Sequence, residues 1–165
     1  MRGRGAVWVG AVMLLGSASA VAQSTPGPLL GVWQTVEINI SGPTPRTIVV
    51  PEPRPYLTII TARHYSRTEV QSDSPRPVIA DVAKATADEL RATWGPFVGE
   101  AGMYEVSGNT ITMRPLASKS PAAMAPGAFI VSTFKLAGNT LWIAQQRNQN
   151  GPYPSPVTFK LVRVE

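Results

Sequence analysis

The sequence contains no cysteine and only one histidine, His64. The absence of cysteine excludes disulfide bonds, thiolate chemistry and an N-terminal cysteine for lipid attachment. One histidine without cysteine cannot complete the usual ligand sets of a metal site, and neither a metal nor another cofactor is predicted. Charged residues make up only 15% of the chain, and the basic ones are scattered, so a nucleic-acid partner is not predicted. The fold must therefore be stabilised by its core alone.

The first 22 residues have the pattern of a cleaved secretory signal. Arg2 and Arg4 precede a short apolar run over residues 6–15, and small residues follow up to Ala22. A membrane anchor is the alternative, but a spanning helix needs about 20 apolar residues, more than this run supplies. Cleavage after Ala22 predicts a periplasmic or secreted protein without a membrane span. Without Arg2 and Arg4, 13 of the 15 basic residues remain against 10 acidic ones, a net charge of +3.

Residues 23–28 are rich in proline and small polar residues and predict a disordered tether. The remaining residues, 29–165, are enough for one core and too few for two full domains. They predict a single β-barrel domain.

Two segments of this domain repeat one pattern thirty residues apart. Residues 104–113 and 134–143 each alternate apolar with polar residues around a central Gly-Asn-Thr. Alternation on either side of a two-residue turn signal is typical of a β-hairpin with one buried face. Gly108-Asn109 and Gly138-Asn139 are expected to supply the positive φ values of the turns.

Alternation also indicates which side chains face inward. The set is Tyr104, Val106, Ile111, Met113, Phe134, Leu136, Leu141, Ile143, Phe159 and Leu161. Successive face-matched hairpins favour a sheet that curls and closes on itself. The predicted fold is all-β, an up-and-down antiparallel barrel of about eight strands with one short helix inserted mid-chain. Thr86 and Glu89 form the capping box of that helix, and Gly95-Pro96 ends it.

Two connections of the predicted barrel are long. The first, residues 41–55, contains five prolines and allows at most a short edge strand at residues 47–50. The second, residues 115–127, joins the two hairpins. Each is interpreted either as a loop at the mouth of a barrel or as a plain surface connection.

The opening Gly31-Val-Trp33 of the first strand resembles the Gly-x-Trp of lipocalins. That resemblance implies an eight-stranded barrel that carries small apolar molecules. It also implies a structural plug in which Trp33 closes one end and a late arginine stacks on it. Arg163 is the first candidate and Arg147 the second. The inserted helix departs from typical lipocalins, and residues 29–165, with their Gly-x-Tyr strand and paired hairpins, resemble the bacterial lipocalin-like domain family.

The only histidine lies on a strand over residues 63–70. Strict alternation separates Arg63, Tyr65, Arg67 and Glu69 from the set His64, Ser66, Thr68 and Val70. Because the first set carries three charges, it is expected to face outward. The ligand-binding residues are then predicted to be His64, Ser66, Thr68, Tyr104, Met113, Phe134 and Ile143.

Three functions are compatible with this reading. The first is an exported binding protein for a small hydrophobic molecule held in the barrel. The second is an isomerase or cyclase in which His64, assisted by Tyr65 or Tyr104, acts as acid or base. A carboxylate facing His64 inside the barrel would support this enzyme hypothesis. However, Glu69 and Glu105 are expected to point outward. The third is a filled barrel acting as an interaction module of the envelope. The ligand's identity and the oligomeric state stay open.

Overall fold

The structure, a computed structural model, describes residues 27–50, 52, 56–72 and 74–165. The predicted signal peptide, residues 1–22, and residues 23–26 of the predicted tether lie outside the described residues. The last two tether residues belong to a 3-10 turn, Gly27–Leu29, whose Leu29 is buried in the core. The ordered domain therefore begins by Gly27.

The described residues form ten strands and one α-helix. The first five strands are β1 (Gly31–Ile40), β2 (Arg46–Val49), β3 (Tyr56–Ile60), β4 (His64–Val70) and β5 (Phe97–Ser107). The helix α1 (Ala87–Trp94) lies between β4 and β5. The remaining strands are β6 (Thr110–Ser118), β7 (Ile130–Ala137), β8 (Thr140–Asn148), β9 (Gly151–Pro152) and β10 (Val157–Arg163).

Eight of these strands close into an antiparallel barrel. Neighbours follow chain order through β1, β3, β4, β5, β6, β7 and β8, and β10 pairs with both β8 and β1. The short strands β2 and β9 are side branches on β1 and β8. The predicted fold, an up-and-down barrel with one short inserted helix, is confirmed. Closure leaves these eight strands no free edge for aggregation.

The two Gly-Asn pairs form two-residue hairpin turns, as predicted. Ser107 pairs with Thr110 across one turn, and Ala137 pairs with Thr140 across the other. Only the glycines have positive φ, 59° at Gly108 and 56° at Gly138, and no described non-glycine residue does. A glycine at the first central position is the signature of a type II′ turn. The expectation that Asn109 and Asn139 share the positive φ is therefore wrong.

Helix α1 begins with the predicted capping box. The Glu89 backbone N–H donates to Thr86 Oγ1 at 3.2 Å, and the Thr86 N–H donates to Glu89 Oε2 at 2.8 Å. These hydrogen bonds lower the pKa of Glu89, chiefly through the backbone donor of Thr86. At the other end, Lys119 Nζ donates to the carbonyl oxygens of Trp94, Gly95 and Phe97. The loop after β6 is thereby tied to the C-terminus of the helix, where a cation is favoured.

The main core contains all ten side chains of β5 to β8 and β10 that alternation placed inside. Ten residues are buried in one cluster: Leu29, Trp33, Ile60, Tyr65, Tyr104, Val106, Ile111, Leu141, Ile143 and Leu161. Met113, Phe134, Leu136 and Phe159 pack against it. A smaller cluster of Ile38, Val50 and Tyr56 occupies the opposite end, and Phe159 contacts both clusters. Phe159 thus connects the two clusters inside the barrel.

Trp33 and Arg163 close one end of the barrel. The indole is fully buried and donates its Nε1–H to the Leu29 carbonyl at 2.9 Å. The guanidinium carbon of Arg163 lies 4.1 Å from the indole centroid, and its nitrogens donate to the carbonyls of Leu30 and Pro28. Gly31, with φ of 135°, leaves room for this contact because a Cβ there would overlap Arg163 Nη1. Arg147, the second candidate, lies instead over Phe129.

The first long connection contributes to the other end. Its strand β2 pairs with residues 37–40 of β1, beyond the segment that pairs with β3. Val50 then turns inward against Ile38 and Tyr56. Residues 51 and 53–55 of this connection lie outside the described residues. Over the described part of the chain, no helix combines the length and apolar character needed to cross a membrane.

Replacing Arg163 with methionine should lower the free energy of unfolding by about 1–3 kcal/mol, because the indole loses its cation and two carbonyl groups lose a charged donor. Chemical denaturation followed by tryptophan fluorescence measures the change. The matched control is Arg114→Met, since Arg114 is half-exposed and 4.0 Å from Glu105. That substitution should cost less than about 0.5 kcal/mol. Equal losses in the two variants would contradict a closing role for Arg163.

Candidate functional site

Strand β4 presents its charged face to the barrel interior. Tyr65 and Glu69 are buried at 2% and 1% exposure, and Arg67 lies between them with a side chain 23% exposed. His64 and Thr68 are exposed, and Ser66 is half-buried on the outer face. The prediction that His64, Ser66 and Thr68 face the interior is therefore wrong. So is the expectation that Arg67 and Glu69 point outward. Glu105, the other acidic residue expected outside, is exposed.

The facing of β4 follows from its neighbours. Tyr65 is opposite Ile60, Arg67 is opposite Thr58, and Glu69 is opposite Tyr56 in the pairing with β3. The three β3 residues are all buried. Directly opposed residues of an antiparallel pair share a face, so the apolar residues of β3 determine the direction of the β4 side chains. The charges of Arg67 and Glu69 are tolerated inside because they lie next to each other.

His64 is the first residue of β4, next to the turn that follows β3. Its backbone N–H donates to Thr61 Oγ1 at 3.2 Å, and its carbonyl accepts from the Thr61 N–H at 2.9 Å. The side chain is exposed outside the barrel, whereas Tyr65 and Tyr104 lie inside. The structure does not bring together the three groups of the predicted acid–base arrangement.

The other four predicted ligand-binding residues lie in the barrel interior. Two of them line a cavity and two do not. Met113 and Ile143 line an internal cavity. Phe134 packs against the main core, and Tyr104 donates its hydroxyl to the Thr61 carbonyl at 2.7 Å near the closed end. Of the seven predicted residues, Met113 and Ile143 lie at the cavity.

The cavity has a volume of about 30 Å³ and a mixed lining. Its apolar wall consists of Met113, Ile130, Ile143, Phe159 and Leu161. Its polar wall consists of Thr35, Thr58, Tyr65, Arg67, Glu69, Glu100, Ser132 and Gln145. This volume suffices for very few water molecules, whereas pockets for small ligands usually measure about 300–1,000 Å³. In this conformation the barrel is nearly filled.

A larger cleft lies directly outside the cavity. It has a volume of about 330 Å³ and is lined by the start of β5 and by the loop residues 118–120 and 123. Arg67 and Glu100 line both spaces and so form the wall between them. The guanidinium of Arg67 lies 5.3 Å from the Phe159 ring centroid.

Glu69 is the most buried charged group at the cavity. Its Oε2 accepts from Gln71 Nε2 at 2.9 Å. Its Oε1 lies 3.6 Å from Arg67 Nε, close enough for an ion pair but too far for a hydrogen bond. Both of these buried atoms lack a hydrogen-bond partner among the described residues. Such unpaired groups are costly, and they are common where a protein binds something.

Tyr65 and Glu100 form a second polar contact in the same wall. The Tyr65 hydroxyl donates to Glu100 Oε1 at 3.2 Å. Burial of the phenol raises the pKa of Tyr65 well above its usual value near 10, and the negative charge of Glu100 adds to the effect. The phenol therefore stays protonated and serves as a donor. No group of three or more histidine or acidic side chains suited to a metal occurs in the part of the chain that the structure describes.

Sequence reasoning missed Arg67 and Glu69 because charge was used to decide the direction of a strand, and it did not consider Glu100 of β5. The signal that could have revealed them is Tyr65, which shares its face with Arg67 and Glu69. An aromatic residue at the start of a strand is a stronger indication of burial than two charges that can pair with each other.

No family model, no curated protein and no solved structure was found to match the chain.

The stability of the fold should fall at alkaline pH because of Tyr65. Its folded pKa is raised, so its contribution is complete below pH 10 and is lost as the pH rises above that value. Tyr65→Phe should reduce the slope of the free energy of unfolding between pH 10 and 11.5 by up to about 1.4 kcal/mol per pH unit. Urea denaturation at each pH measures it. Tyr153→Phe, in the loop between β9 and β10, is the control, and an equal effect there would contradict the assignment.

Proposed function

We propose that the protein is an exported binding protein for a small, mainly apolar molecule, which it holds inside the barrel. The observation that carries the proposal is the internal cavity, where a buried Glu69 and Arg67 with unpaired atoms face an apolar wall of Met113, Ile143 and Phe159. Apolar walls with a few placed polar groups are typical of small-molecule sites. The secretory pattern of residues 1–22 supports export to the periplasm or beyond.

Entry of a ligand requires the wall formed by Arg67 and Glu100 to move. The closed cavity is too small for more than water, but the cleft beyond that wall has about ten times its volume. Arg67 is partly exposed and rests on Phe159 through a cation–π contact, which is weak enough to exchange for a contact with a ligand. The ligand would then lie across Phe159 and reach into both spaces.

A filled barrel that binds another protein of the envelope is the second candidate. It is favoured by the small volume of the cavity, since a barrel packed with side chains needs no ligand to complete its core. The enzyme reading based on His64 has no comparable support, because the histidine is exposed outside the barrel.

Native mass spectrometry distinguishes the two candidates. Protein purified from the compartment where its host accumulates it should carry a stoichiometric adduct, which denaturation releases for identification. Ser132→Leu should abolish the adduct, because Ser132 is buried at the cavity and the larger side chain fills it. Thr133→Leu places the same side chain at the next position of β7, on the opposite face, and should retain the adduct.

A bare polypeptide mass from the wild-type protein, unchanged after exposure to a lipid extract of the host, would overturn the binding proposal and favour the filled barrel. An adduct that Ser132→Leu and Thr133→Leu retain equally would place the bound molecule outside the cavity.

A further inference from the structure

Two buried polar atoms at the cavity are complementary to each other but do not bond. Arg67 Nε carries a hydrogen to donate and Glu69 Oε1 is an acceptor; they are 3.6 Å apart. Both atoms are buried and have no hydrogen-bond partner within the described ranges. The rest of the Glu69 carboxylate is engaged, because its Oε2 accepts from Gln71. Arg67 and Glu69 both line the cavity, so one donor and one acceptor lie side by side within its wall.

The charges around this pair limit what can bind it. A cation would bond to Glu69 but would be repelled by Arg67 and would leave Nε unpaired. An anion would bond to Arg67 but would be repelled by Glu69, whose carboxylate is only 1% exposed and cannot be shielded by solvent. Glu100, the other acidic group in the wall, accepts from the Tyr65 hydroxyl and lies towards the outer cleft. A neutral group that both accepts and donates satisfies both atoms without repulsion.

We infer that the ligand carries a neutral hydroxyl or carboxamide at its buried end, an inference that rests on the proposed binding function. The oxygen of that group accepts from Arg67 Nε, and its O–H or N–H donates to Glu69 Oε1. The hydrocarbon part then lies against Phe159, Met113 and Ile143, which form the facing wall. The cavity thus selects an alcohol or amide with an apolar tail over the corresponding amine or acid.

A set of four six-carbon probes tests the end group with the tail held constant. The probes are 1-hexanol, hexanamide, hexylamine and hexanoate, at pH 7, where the last two are charged. Titration followed by amide NMR gives the affinity of each probe and, through shifts at Ser132 and Leu161, its location. Hexanol and hexanamide should bind at least about tenfold more tightly than hexylamine and hexanoate, the equivalent of one charge-assisted hydrogen bond.

Variants of the pair separate its two halves. Glu69→Gln should weaken hexanol binding about tenfold and strengthen hexanoate binding, because the charge of Arg67 is no longer opposed. Arg67→Lys keeps the positive charge but removes Nε, and it should weaken hexanol without improving hexylamine. Glu105→Gln is the matched control, since it removes a carboxylate from the outer surface, and it should change none of the four affinities. If Glu69→Gln does not fold, Arg67→Lys still tests the role of the Arg67–Glu69 pair.

The outcomes distinguish this inference from the function on which it rests. If no probe shifts Ser132 or Leu161, the cavity does not bind small molecules, and the proposed function is overturned together with the inference. If hexylamine or hexanoate binds most tightly, or if all four bind equally, the cavity binds ligands but does not select a neutral group. In that case the inference is overturned and the proposed function stands.

Discussion

The pairing of the first strand with the last is the constraint on which the rest of the structure depends. Strand β10 pairs with β1 along seven residue pairs and with β8 on its other edge. Without it, the meander from β1 to β8 would be an open sheet with two exposed edges. Arg163, the last residue of β10, completes the closure. Its guanidinium covers the indole of Trp33 and donates hydrogen bonds to the carbonyls of Pro28 and Leu30, which precede β1. One side chain thus joins the C-terminal strand to the start of the domain.

Closure at one end gives the barrel two unlike halves. The half near Trp33 is filled by large apolar side chains. In the other half, β1 no longer pairs with β3. The pairing of β1 with β10 is irregular between Thr35 and Glu37, and at this point the residues of β1 that face inward also change. Thr35, Thr58, Ser132 and Gln145 line the same cavity as the ion pair of Arg67 and Glu69. A buried ion pair with unpaired atoms contributes little to stability, and replacing such pairs with apolar residues is often neutral or stabilising. Its contribution to stability therefore does not explain the arrangement.

The same cluster connects the fold to the proposed function. Arg67 contacts Phe159, which packs against both core clusters, and it also separates the cavity from the outer cleft. A side chain in that position can respond to a ligand without disturbing the strands, because the hydrogen bonds of the barrel do not involve it. The loop tied to helix α1 by Lys119 forms the far side of the cleft. The inserted helix therefore helps to position one side of the cleft.

The sequence by itself determined the barrel, its turns and its closed end. Two-residue turns and the inward faces of the hairpins depend on local chemistry, and alternation along the sequence indicates them. The pair Trp33 and Arg163 was predicted from the resemblance of Gly31-Val-Trp33 to the opening of lipocalins, and it depends on a single contact. Only the tertiary structure decided which way β4 faces and how large the cavity is. The direction of β4 depends on its register with Tyr56, Thr58 and Ile60 of β3, because a strand can bury charges when a neighbouring strand brings them together. Cavity volume depends on how side chains from five or more strands fill a shared space, and no single strand carries that information.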